Sequence, residues 1–302
     1  MRVLLLAAAV WLAGCADGEA GARREGKIRV VATTGMVADL ARHVGGDIVE
    51  VTALMGAGID PHLYRATASD LDRLKAADLV LYNGKGLEGK LGDVFVKLAR
   101  IKEVVAVTDG IDDSRLIEPE ELEGHYDPHV WFDVALWAEG VDPVAKALAR
   151  LDPEHAGEFA KRAASYKTDL LALDNEVRAT LATVPKPQRV LITSHDAFRY
   201  LGRAYDMEVR GLQGISTVQD AGVKDVQDMA AFIVERKIKA IFVETSVNAR
   251  AIKAVQEAVK RKGGSAAIGG ELFSDAMGDH DPVDTYIGMV RANVDTIVKA
   301  LK

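Results

Sequence analysis

Residues 152–184 read DPEHAGEFAKRAASYKTDLLALDNEVRATLATV, and the fold turns on this stretch. Asp152 is a residue type that caps helix N-termini, Pro153 suits the first helical position, and Glu154 suits the positive end of the helix dipole. Phe159, Ala163, Tyr166, Leu170, Leu173, Val177, Leu181 and Val184 then recur in steps of three and four, the period of a helix with one buried face. Pro185 and Pro187 stop it. At 1.5 Å per residue such a helix is roughly 45–50 Å long, well beyond the average. A heptad coiled coil shares the periodicity but is rarely so short. The stretch therefore reads as a spine, one rigid helix joining two halves, with the function between them.

On both sides of the spine the chain alternates strands and helices. Before it, strands are expected at 27–34, 47–55, 78–82 and 103–107, with helices at 36–44, 68–77 and 87–100. A further helix, 132–151, is interrupted near Gly140 and Pro143. After it, strands are expected at 189–193, 208–212, 239–244 and 266–272, with helices at 197–204, 223–236, 249–262 and 282–301. This pattern implies an α/β protein of two (βα) domains with mostly parallel sheets. Ligands in such sheets sit beyond the C-terminal ends of the strands.

Composition bounds the partners. The 302 residues are 49% hydrophobic and 27% charged, enough for two domains with their own cores. A formal net charge of -7 and the lack of a basic run argue against nucleic acid. Cys15 is the one cysteine, so neither an internal disulfide nor a cysteine-based metal site can form. It ends Leu12-Ala13-Gly14-Cys15, after an apolar run, Val3 to Ala13, too short to span a bilayer. This resembles a bacterial lipobox, with cleavage before Cys15 and lipidation of its sulfur. The other reading is an ordinary signal peptide, but the only cysteine stands at the one position a lipobox needs. The expected division is a lipoprotein signal peptide at 1–14, a lipidated tether at 15–26, an N-terminal lobe at 27–151, the linking helix at 152–184 and a C-terminal lobe at 185–302.

Three of the seven histidines, His62, His129 and His195, fall just past a strand or in a tight loop. His62 and His129 share the local sequence Asp-Pro-His, in which the aspartate could hold a ring nitrogen and set the tautomer. Three imidazoles with the loop carboxylate of Asp275 would suit a divalent transition metal. No spacing here is a local zinc motif, and two polar loop histidines with one at a strand end fit the same residues. His43 and His155 read as surface residues. His125 and His280 are possible accessory ligands.

Two motifs mislead. Ser194-His195-Asp196 holds the residue types of a catalytic triad, but adjacent side chains point apart. Gly84-Lys85-Gly86-Leu87-Glu88-Gly89 matches GxGxxG between a strand and a helix, yet Glu88 would place negative charge where pyrophosphate must bind.

Taken together, the motifs resemble the metal-binding lipoproteins of bacterial ABC importers, the solute-binding cluster A-I, once named for adhesins. The resemblance covers nearly the whole mature chain. It rests on the lipobox, Asp60-Pro61-His62-Leu63-Tyr64, Tyr82-Asn83-Gly84 with Leu87-Glu88-Gly89, and Asp127-Pro128-His129-Val130-Trp131. It continues through residues 194–200 (SHDAFRY), 211–217 (GLQGIST), 242–244 (FVE) and 271–275 (ELFSD). By position, the resemblance implies that His62, His129, His195 and Asp275 bind the metal; Glu244, at a strand end, is kept only as a candidate for supporting them from behind. It also implies two lobes joined by a long helix. His195 at the third position points to zinc or to both zinc and manganese. The short acidic loop 109–126, with only His125, departs from dedicated zinc members. The implied protein is a monomeric, lipid-anchored, extracytoplasmic solute-binding protein that passes zinc and/or manganese to a membrane permease and catalyses nothing. A metal-dependent hydrolase is the rival, against which four protein ligands would close a tetrahedral site and leave no general base. A surface adhesin is suggested only by the older name.

Overall fold

The computed structural model describes residues 26–120 and 123–302. The expectations for the signal peptide, Cys15 and nearly all of the tether lie outside the described residues.

Among the described residues, eight strands and ten α-helices follow in the expected order. The first half holds β1 (Ile28–Ala32), α1 (Gly35–Gly45), β2 (Val49–Ala53), α2 (Ala68–Ala76), β3 (Leu79–Tyr82), α3 (Gly92–Leu98), β4 (Glu103–Ala106), α4 (Val134–Trp137) and α5 (Val141–Leu151). Its four strands pair in parallel in the order β2-β1-β3-β4. Then comes α6 (Ala156–Leu181). The second half holds β5 (Val190–His195), α7 (Arg199–Tyr205), β6 (Glu208–Gln213), α8 (Val223–Arg236), β7 (Ala240–Glu244), α9 (Arg250–Arg261), β8 (Ala267–Leu272) and α10 (Tyr286–Leu301). Here β5 pairs with β6 and β7 with β8, both in parallel, and the two pairs lie side by side through β5 and β7. The fold is thus α/β, with mostly parallel sheets and one long connecting helix.

The spine is shorter than its sequence suggests. α6 has 26 residues, about 39 Å at the standard rise. Asp152 does not cap it; the Asp152 carboxylate lies 2.7 Å from His155 Nδ1, and residues 153–155 form a 3₁₀ turn ahead of the helix. The helix ends at Leu181, the residue whose carbonyl would meet the Pro185 ring if the helix ran on. The expected stripe is buried in full, and Asp174 is buried with it. Asp174 has a reason to be there: its Oδ1 accepts the Tyr205 hydroxyl at 2.9 Å. Three other expectations shift. Pro143 sits inside the first turn of α5, where a missing N–H costs nothing, so the break falls only at Gly140. Residues 87–100 form a turn, a 3₁₀ segment and the short α3. His43 is not simply a surface residue: its ring stacks on Tyr166 with centroids 3.9 Å apart.

One hydrophobic core runs through α1, α5, α6, α7 and α10 and takes in side chains from both halves, among them Trp131, Trp137, Phe198 and Tyr286. Polar bonds cross the same boundary. Trp131 donates its indole N–H to the Ser274 carbonyl at 3.0 Å, and the Tyr200 hydroxyl donates to the Asp127 carbonyl at 2.9 Å. Tyr286 donates its hydroxyl to the Trp131 carbonyl at 2.6 Å. These contacts fix the C-terminal ends of both sets of strands against each other.

Candidate metal centre

Four side chains converge at that junction. His62 lies in the loop after β2, His129 in the segment between β4 and α4, His195 is the last residue of β5, and Asp275 follows β8. All four are buried, His129 and His195 completely. One ligand atom from each can be chosen so that all lie within 4.8 Å of one another. His62 Nε2 and His129 Nε2 are 3.3 Å apart. The Asp275 carboxylate lies 3.3 Å from His195 Nε2, 3.5 Å from His129 Nε2 and 3.7 Å from His62 Nε2. Ligands about 2.05 Å from a tetrahedral ion are about 3.3 Å apart, so these separations suit such an ion.

The tautomers point the same way. His129 Nδ1 lies 2.7 Å from Asp127 Oδ1, and His195 Nδ1 lies 2.5 Å from Glu244 Oε2. A proton on each Nδ1 leaves Nε2 with a lone pair aimed at the centre. His195 Nε2 and both Asp275 oxygens have no hydrogen-bond partner, although buried polar atoms are ordinarily paired. A cluster of lone pairs without donors is what a cation would satisfy.

Burial and charge then decide protonation. Burial pushes His62 down to about 3, with His129 and His195 adding to the effect and Asp275 opposing it. His62 is therefore neutral and ready to bind. Burial also acts to lower His195, but Asp275 and Glu244 on either side outweigh it and raise its pKa well above the usual 6.5. Asp275 sits below the ordinary carboxylate range: burial would raise it, and the three imidazoles, His195 foremost, overcome that.

The four sequence-based ligand candidates therefore come together, and Glu244 lies behind His195, also accepting its backbone N–H at 2.9 Å. The shared Asp-Pro-His reading holds for one loop only. Asp127 grips its histidine ring, whereas Asp60 accepts the His62 backbone N–H at 2.8 Å and the Thr217 hydroxyl at 2.5 Å. His125 and His280 are exposed and turned to Glu123 and Asp279, away from the cluster.

The misleading motifs resolve in physical terms. Glu88 is buried and folds back into its own loop, accepting from the Thr33 hydroxyl at 2.6 Å, the Asn83 N–H at 2.7 Å and the Gly84 N–H at 3.3 Å. Amides that could have met a phosphate are thereby occupied. Burial raises the Glu88 pKa against these bonds. The same loop braces the site, because Asn83 Nδ2 donates to the Pro128 carbonyl at 2.9 Å. In 194–196, His195 faces Glu244 and Asp196 accepts from Arg199 Nε at 2.6 Å, so no triad forms.

Sequence reasoning missed Gly211 as a determinant of the site. A Cβ there would lie 2.3 Å from the Asp196 backbone nitrogen, so only glycine in β6 lets the chain turn directly after His195. It also missed Trp131, Tyr200 and Tyr286, whose partners lie 73 to 155 residues away.

Comparison with known proteins gives a consistent picture. The model of the family described as "Zinc-uptake complex component A periplasmic" (ZnuA) matches residues 30–300. The manganese-binding lipoprotein MntA of Bacillus subtilis is 45% identical, over 100% of both chains. The zinc-binding protein TroA of Treponema pallidum is 48% identical, over 95% of this chain and 92% of that one. A solved structure of the T. pallidum periplasmic zinc-binding protein TroA superimposes with a TM-score of 0.89 at 48% identity, covering 91% of this chain and 99% of its own.

Proposed function

The chain belongs to the family of periplasmic A components of zinc-uptake complexes, substrate-binding parts of ABC metal importers rather than enzymes, and from that membership we propose that it captures one zinc or manganese ion between its lobes and hands it to a membrane permease. His62, His129, His195 and Asp275 are the proposed ligands, and Glu244 sets the tautomer of His195 from behind. The observation that carries this reading is the convergence of four buried ligand groups, among which His195 Nε2 and both Asp275 oxygens have no hydrogen-bond partner. The ion is cargo. The proposed lobes are 27–151 and 185–302, with 152–184 between them. Lipidation at Cys15 would hold the protein, a monomer, at the outer side of the membrane beside its permease.

Three imidazoles favour zinc, since affinity for such donors rises from manganese to zinc. Relatives named for each metal support both as cargo. A competition titration tests the reading: it should give one ion per chain and a smaller Kd for zinc than for manganese. Two tight ions, or none, would overturn it. Against a hydrolytic role, the carboxylates of Asp60, Asp127 and Glu244 beside the ligands already hold a loop or a ring.

A further inference from the structure

We propose that Asp60 is a positioning residue that makes the placement of His62 depend on the opposite lobe, through the hydroxyl of Thr217. The proposal rests on the metal-capture reading and assigns a role to two residues that bind no metal.

The three histidines are held differently. His129 is gripped at ring and backbone by Asp127 of its own loop, at 2.7 and 2.9 Å. His195 is gripped at ring and backbone by Glu244 of its own lobe. His62 is held through its backbone N–H by Asp60, and the other oxygen of that carboxylate accepts from Thr217, 157 residues further on and in the far lobe. The His62 loop has little apolar packing of its own: Ile59 and Leu63, on either side of the turn, are 41% and 51% exposed. Downstream it is anchored within its lobe, where the Tyr64 hydroxyl donates to Asp70 at 2.8 Å. Upstream, Ile59 donates its N–H to the Gly56 carbonyl at 3.3 Å within the loop, and Asp60 with Thr217 ties the turn to the far lobe.

The bond also lies in the wall of a cleft. A cleft of about 650 Å³ between the lobes is lined by Asp60, Leu63 and Thr217 together with the start of α8 and the 246–251 segment, and by none of the four proposed ligands. Separation of the lobes removes the Thr217 hydroxyl, frees the Asp60 carboxylate and loosens the turn that aims His62. His129 and His195 would keep their own supports while His62 is released.

Thr217→Val removes the hydroxyl at nearly constant shape, and Thr217→Ser restores it; Thr217→Ala provides a second deletion should valine disturb folding. Stopped-flow release of zinc to a chelator should be ten- to hundredfold faster in the valine and alanine variants, about the range for losing a hydrogen bond to a charged group. One ion per chain should still bind, and the serine variant should release at the wild-type rate. Hydrogen exchange of the metal-free protein supplies a second readout, in which the His62 amide should lose protection in Thr217→Val and keep it in Thr217→Ser. Unchanged release together with unchanged protection would overturn the proposal. If the wild-type protein binds no zinc, the capture reading fails, and exchange at His62 still decides whether Thr217 holds the turn.

Discussion

Glu244 holds His195 at two points, accepting the backbone N–H at 2.9 Å and lying 2.5 Å from ring Nδ1. A carboxylate can only accept, so it fixes the proton on Nδ1 and the lone pair on Nε2. Glu244→Gln would place an amide N–H2 or a weaker carbonyl acceptor there and favour the wrong tautomer. Zinc affinity should fall about 10- to 100-fold, the range for losing such a supporting partner, with one ion per chain retained. Equal affinities in a competition titration would remove Glu244 from the account.

His195 also sets the pH dependence. Its raised pKa means that its proton stabilises the metal-free fold in full below about 6.5, and that this contribution is lost as pH rises through the raised value. The ion must displace that proton, whereas His62, pushed down to about 3, has none to give near neutrality. The apparent Kd should therefore fall about tenfold for each unit of pH above about 6.5, until the His195 pKa is passed. Calorimetry in buffers of different ionisation enthalpy should show proton release on binding. A flat profile with no release would contradict the assignment of His195.

Glu88 occupies the GxGxxG loop, satisfying the Asn83 and Gly84 amides and the Thr33 hydroxyl while buried. Glu88→Ala should strand these donors and cost about 2–4 kcal/mol of stability in chemical denaturation. No nucleotide should bind to either form. A variant as stable as wild type would show that the loop does not depend on this carboxylate.

Much of this was legible in the sequence, for a definable reason. Alternating periodicity located the strands, and the rule that ligands lie past strand ends then singled out His62, His129 and His195. The spine's buried stripe was read residue by residue, because a 3.6-residue period is local information. Its ends were less legible: Pro185 acts four residues back at Leu181, and Asp152 turns to His155. Local sequence failed where identical motifs met different neighbours. Asp60 and Asp127 share Asp-Pro-His, yet only Asp60 has Thr217 beside it. Gly211 was unreadable for the same reason, since its role is the backbone of Asp196 at a distance no spacing reveals.

Cys15 is the one residue of the chain that can carry a thioether-linked lipid. Cys15→Ser should shift the protein from the detergent phase to the aqueous phase, or leave its leader uncleaved. Unchanged partitioning and mass would rule out the anchor.

The proposed ligand set would have one ion bridge the two lobes, since His62 and His129 precede α6 while His195 and Asp275 follow it. An ion bound only by the assembled fold stabilises it by RT ln(1 + [L]/Kd), about 4 kcal/mol at a thousandfold excess over Kd. Thermal unfolding with and without zinc, for the wild type, His129→Ala and His195→Ala, measures this directly. The wild-type midpoint should rise clearly, and most of that rise should be lost in both variants. A rise abolished in one variant and intact in the other would place the ion within a single lobe and contradict that ligand set.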